Sequence, residues 1–228
     1  SLLATAIVLL SSAHASQPNK STIDQKIDAL LAKMTVEEKL GQLNQLSADG
    51  EWNADKTAMG ITPEQTELVR KGLVGSFLNA TGSQTLREIQ RIAVEETRLK
   101  IRLLFAYDVI HGYRTIFPIP LAEACTWDPE LLQQSAHVAA VEASAAGLHW
   151  TFAPMVDIAR DPRWGRIMEG SGEDPILGSR IAAARVKGFQ GTHLNDRESI
   201  MACAKHFAAY GAAEAGRDYN TVDISERT

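Results

Sequence analysis

The residues with chemistry to offer fall in three short stretches, each following an apolar run. Asp108 opens the segment Asp108-Val109-Ile110-His111-Gly112 after the run Leu103–Tyr107. Asp157 and the run Asp161-Pro162-Arg163-Trp164-Gly165-Arg166 follow Trp150–Ala153. Lys205-His206 closes the run Ile200–Lys205. An ionised carboxylate carries two acceptor oxygens and can take hydrogen bonds from two neighbouring groups. A guanidinium is a planar donor that can serve a hydroxyl and a carboxylate at once. An unpaired charge at a buried strand end is costly, so a purely structural account would need a separate reason for each group. Their common position points instead to one ligand site on one face of a sheet. No second His or Cys stands at ligand spacing from His206, so no metal is expected; no cofactor is expected either.

The elements that must position these residues alternate. Ile23–Lys33 and a second stretch after Thr35 carry apolar residues at helical spacing. Thr35 with Glu38 has the pattern of a capping box, and the helix it starts is expected to run through Leu40, Leu43 and Leu46. Residues 47–60 read as a loop, and Pro63–Lys71 as a short helix stopped by Gly72. Four strands are expected at Val74–Leu78, Leu103–Tyr107, Trp150–Ala153 and Ile200–Lys205. Helices are expected at Ser83–Leu99, Asp128–Ala146 and Pro175–Phe189. Strands alternating with helices of ten or more residues imply βαβ units and a parallel sheet. A complete (β/α)8 barrel takes about 250 residues. The expected fold is therefore α/β, the N-terminal half of a (β/α)8 TIM-like barrel, truncated after about four strands. Open strand edges and uncovered apolar faces would leave such a half poorly stable alone.

The 228 residues carry 23 Lys+Arg against 28 Asp+Glu, a net charge of -5, with 45% apolar residues. This composition is that of a soluble globular protein, with no basic footprint for nucleic acid or anionic lipid. Leu2–Leu10 is apolar and uncharged and is followed by Ala13-His14-Ala15. That pattern reads as a secretory signal clipped at its start and cut after Ala15, leaving 16–228 as the folded part. The run is too short for a membrane span, so no membrane association is expected once the signal is removed. Export would place Cys125 and Cys203 in an oxidising compartment, where pairing and two reduced thiols are both open.

The motifs KMTVEEKLGQL, FAYDVIHG, FPIPLAEA, APMVDIARDPRWGR, EGSGEDP, ACAKHFAAYG and GRDYNTVDIS stand here in order. On these, residues 30–228 resemble glycoside hydrolase family 3, and within it the bacterial periplasmic β-glucosidases. The resemblance implies an N-terminal (β/α)8-like domain followed by an α/β sandwich. It implies retaining hydrolysis by an Asp nucleophile late in the first domain and a Glu acid/base in the second. The nucleophile's Ser-Asp pair does not occur in this sequence, so no catalytic residue is assigned.

The same resemblance implies that Asp108, Arg166, Lys205 and His206 bind the terminal glucose, with Arg114 near the same pocket or orienting Asp108. Adjacent strand residues normally point to opposite faces, so Lys205 and His206 can both reach a sugar only from a distorted strand end. Arg163 is the structural arginine of its run, paired with Asp161 or Glu169. His111 is expected to hold its loop through a backbone bond, Asp157 to organise a loop, and Trp164 to anchor a loop or else to stack on a sugar ring. Glu169, Glu173 and Asp174 sit near a helix start, where the macrodipole favours them.

The implied function is exo-acting β-glucosidase, periplasmic or secreted, acting on β-glucosides or cello-oligosaccharides. A β-xylosidase of the same family and a non-catalytic sugar-binding relic are the alternatives. Lys205-His206-Phe207-Ala208-Ala209 lacks the Pro and second His of the family's N-acetylglucosaminidases. A phosphate-binding barrel enzyme conflicts with the export signal, and no Gly-rich phosphate loop of the usual spacing is present.

Overall fold

The computed structural model describes residues 22–54 and 58–227. The signal expected over 1–15 lies outside the described residues. The chain divides into two compact units, 1–35 and 36–228. The first holds helix α1 (Thr22–Leu31), close to the expected span. In the second, α2 (Val36–Leu43) and β1 (Gln45–Ser47) lead to α3 (Pro63–Arg70) and β2 (Ser76–Leu78). Helix α4 (Ser83–Glu95), β3 (Leu104–Tyr107), α5 (Pro120–Ala124) and α6 (Pro129–Ala145) follow. Strand β4 (Trp150–Thr151) and α7 (Pro175–Gln190) complete the regular elements, with 3-10 turns at Gly165–Glu169, Tyr210–Ala212 and Glu214–Gly216.

The four strands form one parallel sheet in the order β1-β2-β3-β4. Phe77 pairs with Leu46 on one side and Phe105 on the other, and Ala106 pairs with Trp150. Phe77, Phe105, Ala106 and Thr151 are all buried. Burying a Phe side chain contributes roughly 1.5–3 kcal/mol. Helix α4 adds Leu86, Ile89, Ile92 and Ala93 to the same core, the face its spacing predicts.

Both edges of the sheet differ from the expected ones. The second helix stops at Leu43, and Leu46 lies in β1. The carbonyl of Asn44 accepts hydrogen bonds from the amides of Gly75 and Ser76, at 3.0 and 3.3 Å. A Cβ at Gly75 would stand 2.2 Å from the Gln42 carbonyl oxygen, so only glycine lets the two segments meet. Pairing with β2 thus overrides the helical spacing of Leu40, Leu43 and Leu46. At the other edge, Ile200–Lys205 is not a continuous strand. Through single parallel bridges at Met201 and Lys205, it joins β4 at Trp150 and the segment beyond it at Met155. Between them lies Pro154, which has no N–H for a ladder. Helix α5 is a further element the spacing does not announce; Pro120 occupies its first turn.

Helices α6 and α7 pack through small residues. A Cβ at Gly188 would stand 2.3 Å from the Gln133 carbonyl oxygen and 2.7 Å from Cβ of Ala136. Beside this contact Arg185 is buried with its side chain 4% exposed, and its Nη1 meets Oε2 of Glu123, 7% exposed, at 2.8 Å. Its Nη2 donates to the carbonyl of Ile110 at 2.5 Å. Burial pushes the Arg185 guanidinium below its ordinary value, against the opposing pull of Glu123.

Two stability predictions follow from this packing. Gly188→Ala, which on an exposed helix gains up to about 1 kcal/mol, should here cost about 1–3 kcal/mol, because the obstacle is backbone; a thermal melt reads the loss. Arg185→Met should cost about 3–5 kcal/mol by stranding a buried carboxylate. Adding Glu123→Leu should recover part of it, and a melt of the double variant no better than the single one would contradict this account.

Candidate functional site

The site begins where β3 ends. The Asp108 carbonyl accepts a hydrogen bond from Thr151 Oγ1 at 2.5 Å, which ties the end of β3 to β4. The next residues are held one by one. Val109 is buried at a positive φ of 47°. The Ile110 carbonyl is taken by Arg185. His111 Nδ1 lies 3.0 Å from the Phe117 carbonyl oxygen, and the Phe117 amide donates back to the His111 carbonyl at 2.8 Å. His111 therefore holds its loop, as its position predicts.

Across the strand ends, Lys205 Nζ lies 3.1 Å from Oδ1 of Asp108, 97 residues away in sequence. The lysine side chain is 14% exposed and the aspartate side chain 56%, so the carboxylate remains open to a ligand while paired. The Lys205–His206 and Phe207–Ala208 peptides are cis. His206 is held by Asp157, whose Oδ2 accepts from the His206 backbone amide at 3.1 Å and lies 2.9 Å from Nδ1. Asp157 is thus an organising acceptor, as expected.

Arg166 lies on the 3-10 turn after Trp164. Its Nε donates to Oε1 of Glu169 at 2.5 Å and its Nη2 to Oε2 at 2.7 Å. The guanidinium sits 5.4 Å from the centre of the Tyr210 ring, and the same ring meets His206 edge-on at 4.8 Å. Hydrogen bonding to Glu169 holds the Arg166 proton more tightly than usual, against partial burial. The Glu169 carboxyl is lowered first by its Arg166 hydrogen bonds and also by the charges of Lys205 and His206. Arg163 pairs with Asp161 at 2.6 Å and is mostly exposed, the structural arginine of the run.

A cavity of about 530 Å³ opens at this edge, lined by Asp108, Lys205 and His206 together with Gln45, Leu78, Phe152, Cys203 and Phe207. Neither Arg166 nor Tyr210 lines it, though the Tyr210 ring meets His206, which does. Arg114 is not brought to the others. It lines a separate cavity of about 680 Å³ with Gly60, Thr85 and Glu88. Its guanidinium lies 5.9 Å from the Tyr113 ring, and its backbone amide donates to Glu142 at 2.8 Å. Among the described residues Arg114 forms no ion pair with Asp108.

Sequence reasoning missed Tyr210 and Asp218. Asp218 Oδ1 accepts from the Trp164 indole at 2.9 Å and from the Tyr210 hydroxyl at 2.5 Å. Burial, then the hydrogen bond to Asp218, pushes the Tyr210 hydroxyl up to about 12. Trp164 is 2% exposed, the packed anchor expected of it. Asp174 caps α7 by accepting from the Ile176 and Leu177 amides. Cys125 and Cys203 are both free thiols. Among the described residues no group of three or more His, Cys, Asp or Glu is placed to hold a metal ion. None of the described helices is long and apolar enough to cross a membrane.

A parallel α/β sheet whose charged residues gather at the carboxyl ends of its strands is the arrangement shared by α/β barrels and open α/β sheets. The chain belongs to a specific family of such domains: the Glycosyl hydrolase family 3 N terminal domain matches residues 35–228. The chain is 45% identical over 204 residues to a periplasmic beta-glucosidase of Salmonella typhimurium, a match covering 90% of this chain and 26% of that protein. It is 31% identical over 220 residues to a putative beta-xylosidase of Formosa agariphila, covering 91% of this chain and 29% of that one. Among solved structures, a variant beta-glucosidase of Listeria innocua in complex with laminaribiose superposes with a TM-score of 0.79 at 44% identity, covering 89% of this chain and 29% of that one. The chain thus spans less than a third of the length of these relatives. The expected fold, part of a (β/α)8-like barrel, stands.

The Glu169 carboxyl titrates below its ordinary value of 4.5. A group lowered by folding lends stability that is present above its unfolded value and is lost as pH falls through the folded one. Melting temperatures followed from about pH 6 to about pH 3 should therefore fall less steeply in Glu169→Gln than in the parent. Identical slopes would count against the Arg166–Glu169 pair.

Proposed function

We propose that this chain holds the terminal glucose of a β-glucoside in an exo-acting, retaining β-glucosidase that is exported to the periplasm or beyond. The single observation that carries the reading is the meeting of Asp108 and Lys205 at 3.1 Å at the mouth of the cavity that His206 also lines. A pyranose presents neighbouring hydroxyls, each able to donate and accept. Asp108 offers two acceptor oxygens, while Lys205 and His206 supply donors around them; Arg166, bound to Glu169 and outside that lining, is assigned no direct contact. Arg114 is assigned no contact with the sugar, since it lines a different cavity.

Retaining hydrolysis needs two carboxyl groups about 5–5.5 Å apart, one attacking the anomeric carbon and one protonating the leaving oxygen. Asp108, Asp157 and Glu169 are each held by a cationic or N–H partner, which suits them to binding and orientation. The nucleophile and the acid/base are accordingly assigned to none of the described residues. The names of the Salmonella and Listeria relatives support glucoside substrates, here cello-oligosaccharides or aryl β-glucosides. The Formosa relative's name favours a second reading, β-xyloside hydrolysis.

In the complete gene product, Asp108→Ala should lower kcat/KM for an aryl β-D-glucoside by about 100-fold or more, about 2.7 kcal/mol of transition-state stabilisation. The melting temperature should hold. Near-normal kinetics would refute the role of Asp108. Faster turnover of the matching β-D-xyloside would favour the second reading.

A further inference from the structure

We infer that Asp157 is a positioning residue for the sugar site, its carboxylate fixing His206 so that Nε2 is the ring nitrogen offered to the ligand. The inference rests on the reading of the cavity as a glucose site. The Asp157 side chain is 1% exposed, and a carboxylate so deeply buried needs hydrogen-bond donors. Both donors the structure gives it come from one residue. Oδ2 receives the His206 backbone N–H at 3.1 Å and faces Nδ1 at 2.9 Å. An ionised carboxylate only accepts, so Nδ1 must carry a hydrogen, and Nε2 is left as the one ring nitrogen free for a hydroxyl.

The two bonds do different things. The ring bond sets the rotation of the imidazole, and the Tyr210 ring, nearly perpendicular with its centre 4.8 Å from that of the imidazole, flanks it. The amide bond fixes the peptide that joins Lys205 to His206, and with it the stem of the lysine that reaches Asp108. A second anchor acts on the same peptide unit, since the Val156 amide donates to the Lys205 carbonyl at 2.6 Å. One buried carboxylate thus orients two donors of the cavity without touching the ligand. Low local polarity strengthens such charge-assisted bonds.

The test uses the complete gene product, 4-nitrophenyl β-D-glucoside as substrate and glucose as competing ligand. Asp157→Ala should raise both KM and the glucose inhibition constant about tenfold or more. Asp157→Asn, whose amide oxygen can accept the same two N–H groups, should recover most of both. A merely structural role would lower the melting temperature of both variants and leave these constants unchanged in the folded fraction. His206→Ala separates the two claims. If it raises both constants while Asp157→Ala does not, the positioning role fails and the sugar site stands. If it changes neither, the sugar site fails and the positioning role with it. Nitrogen NMR of the unmutated protein gives an independent reading that does not depend on the variants folding. A His206 ring protonated at Nδ1 supports the assignment, and a bare Nδ1 overturns it.

Discussion

Parallel pairing is the constraint on which the rest depends. Strands that run the same way deliver their carboxyl ends to one edge, whatever lies between them in sequence. Here β2 and β3 pair in register from Ser76 with Leu104, and β3 continues into β4 from Ala106 with Trp150. The segment through Lys205 is bridged to that same edge at Met201 and Lys205. Asp108 and Lys205 meet because the sheet leaves their chains no other exit.

Charges collected at a buried edge must be paired, and three pairs stand here. Asp108 stays open while Lys205 lies behind it. His206 faces Tyr210 while Asp157 is sealed from solvent. Arg166 lies on the Tyr210 ring while Glu169 holds it from the other side. A fourth pair, Arg185 with Glu123, lies deeper and holds the Ile110 carbonyl two residues beyond Asp108. The loop that carries the exposed carboxylate is thus tied to α5 and α7.

Much of this was legible in the sequence, for identifiable reasons. Helices α4, α6 and α7 announce themselves by apolar spacing and by Pro at their first turns in α6 and α7, and they form nearly where that pattern places them. Asp108, Lys205 and His206 are marked by their position after apolar runs, and the structure gathers them. Strand β1 is not legible, because three residues carry no period and Leu46 fits the helix before it. Its identity comes from the partner strand. Tyr210 and Asp218 lie in irregular turns, where no periodic pattern operates. Arg185 did carry a signal. It lies between Ile181 and Gly188 on the buried face of α7, and a cation on an apolar stripe implies an anion opposite. Arg114 shows the reverse: its motif is present, but the loop turns its guanidinium to the Tyr113 ring.

The seam between α6 and α7 has a consequence for the entropy of folding. The buried positions of α6 are mostly Ala136, Ala139, Ala140 and Ala143, and α7 contributes Ala184 and Gly188. None of these side chains has rotamers to lose, so at these positions ordering costs backbone freedom alone, where long side chains would add up to about 1.5–2 kcal/mol each. Side-chain disorder is lost at this backing of the Asp108 loop mainly where a long side chain enters it, as Arg185 does.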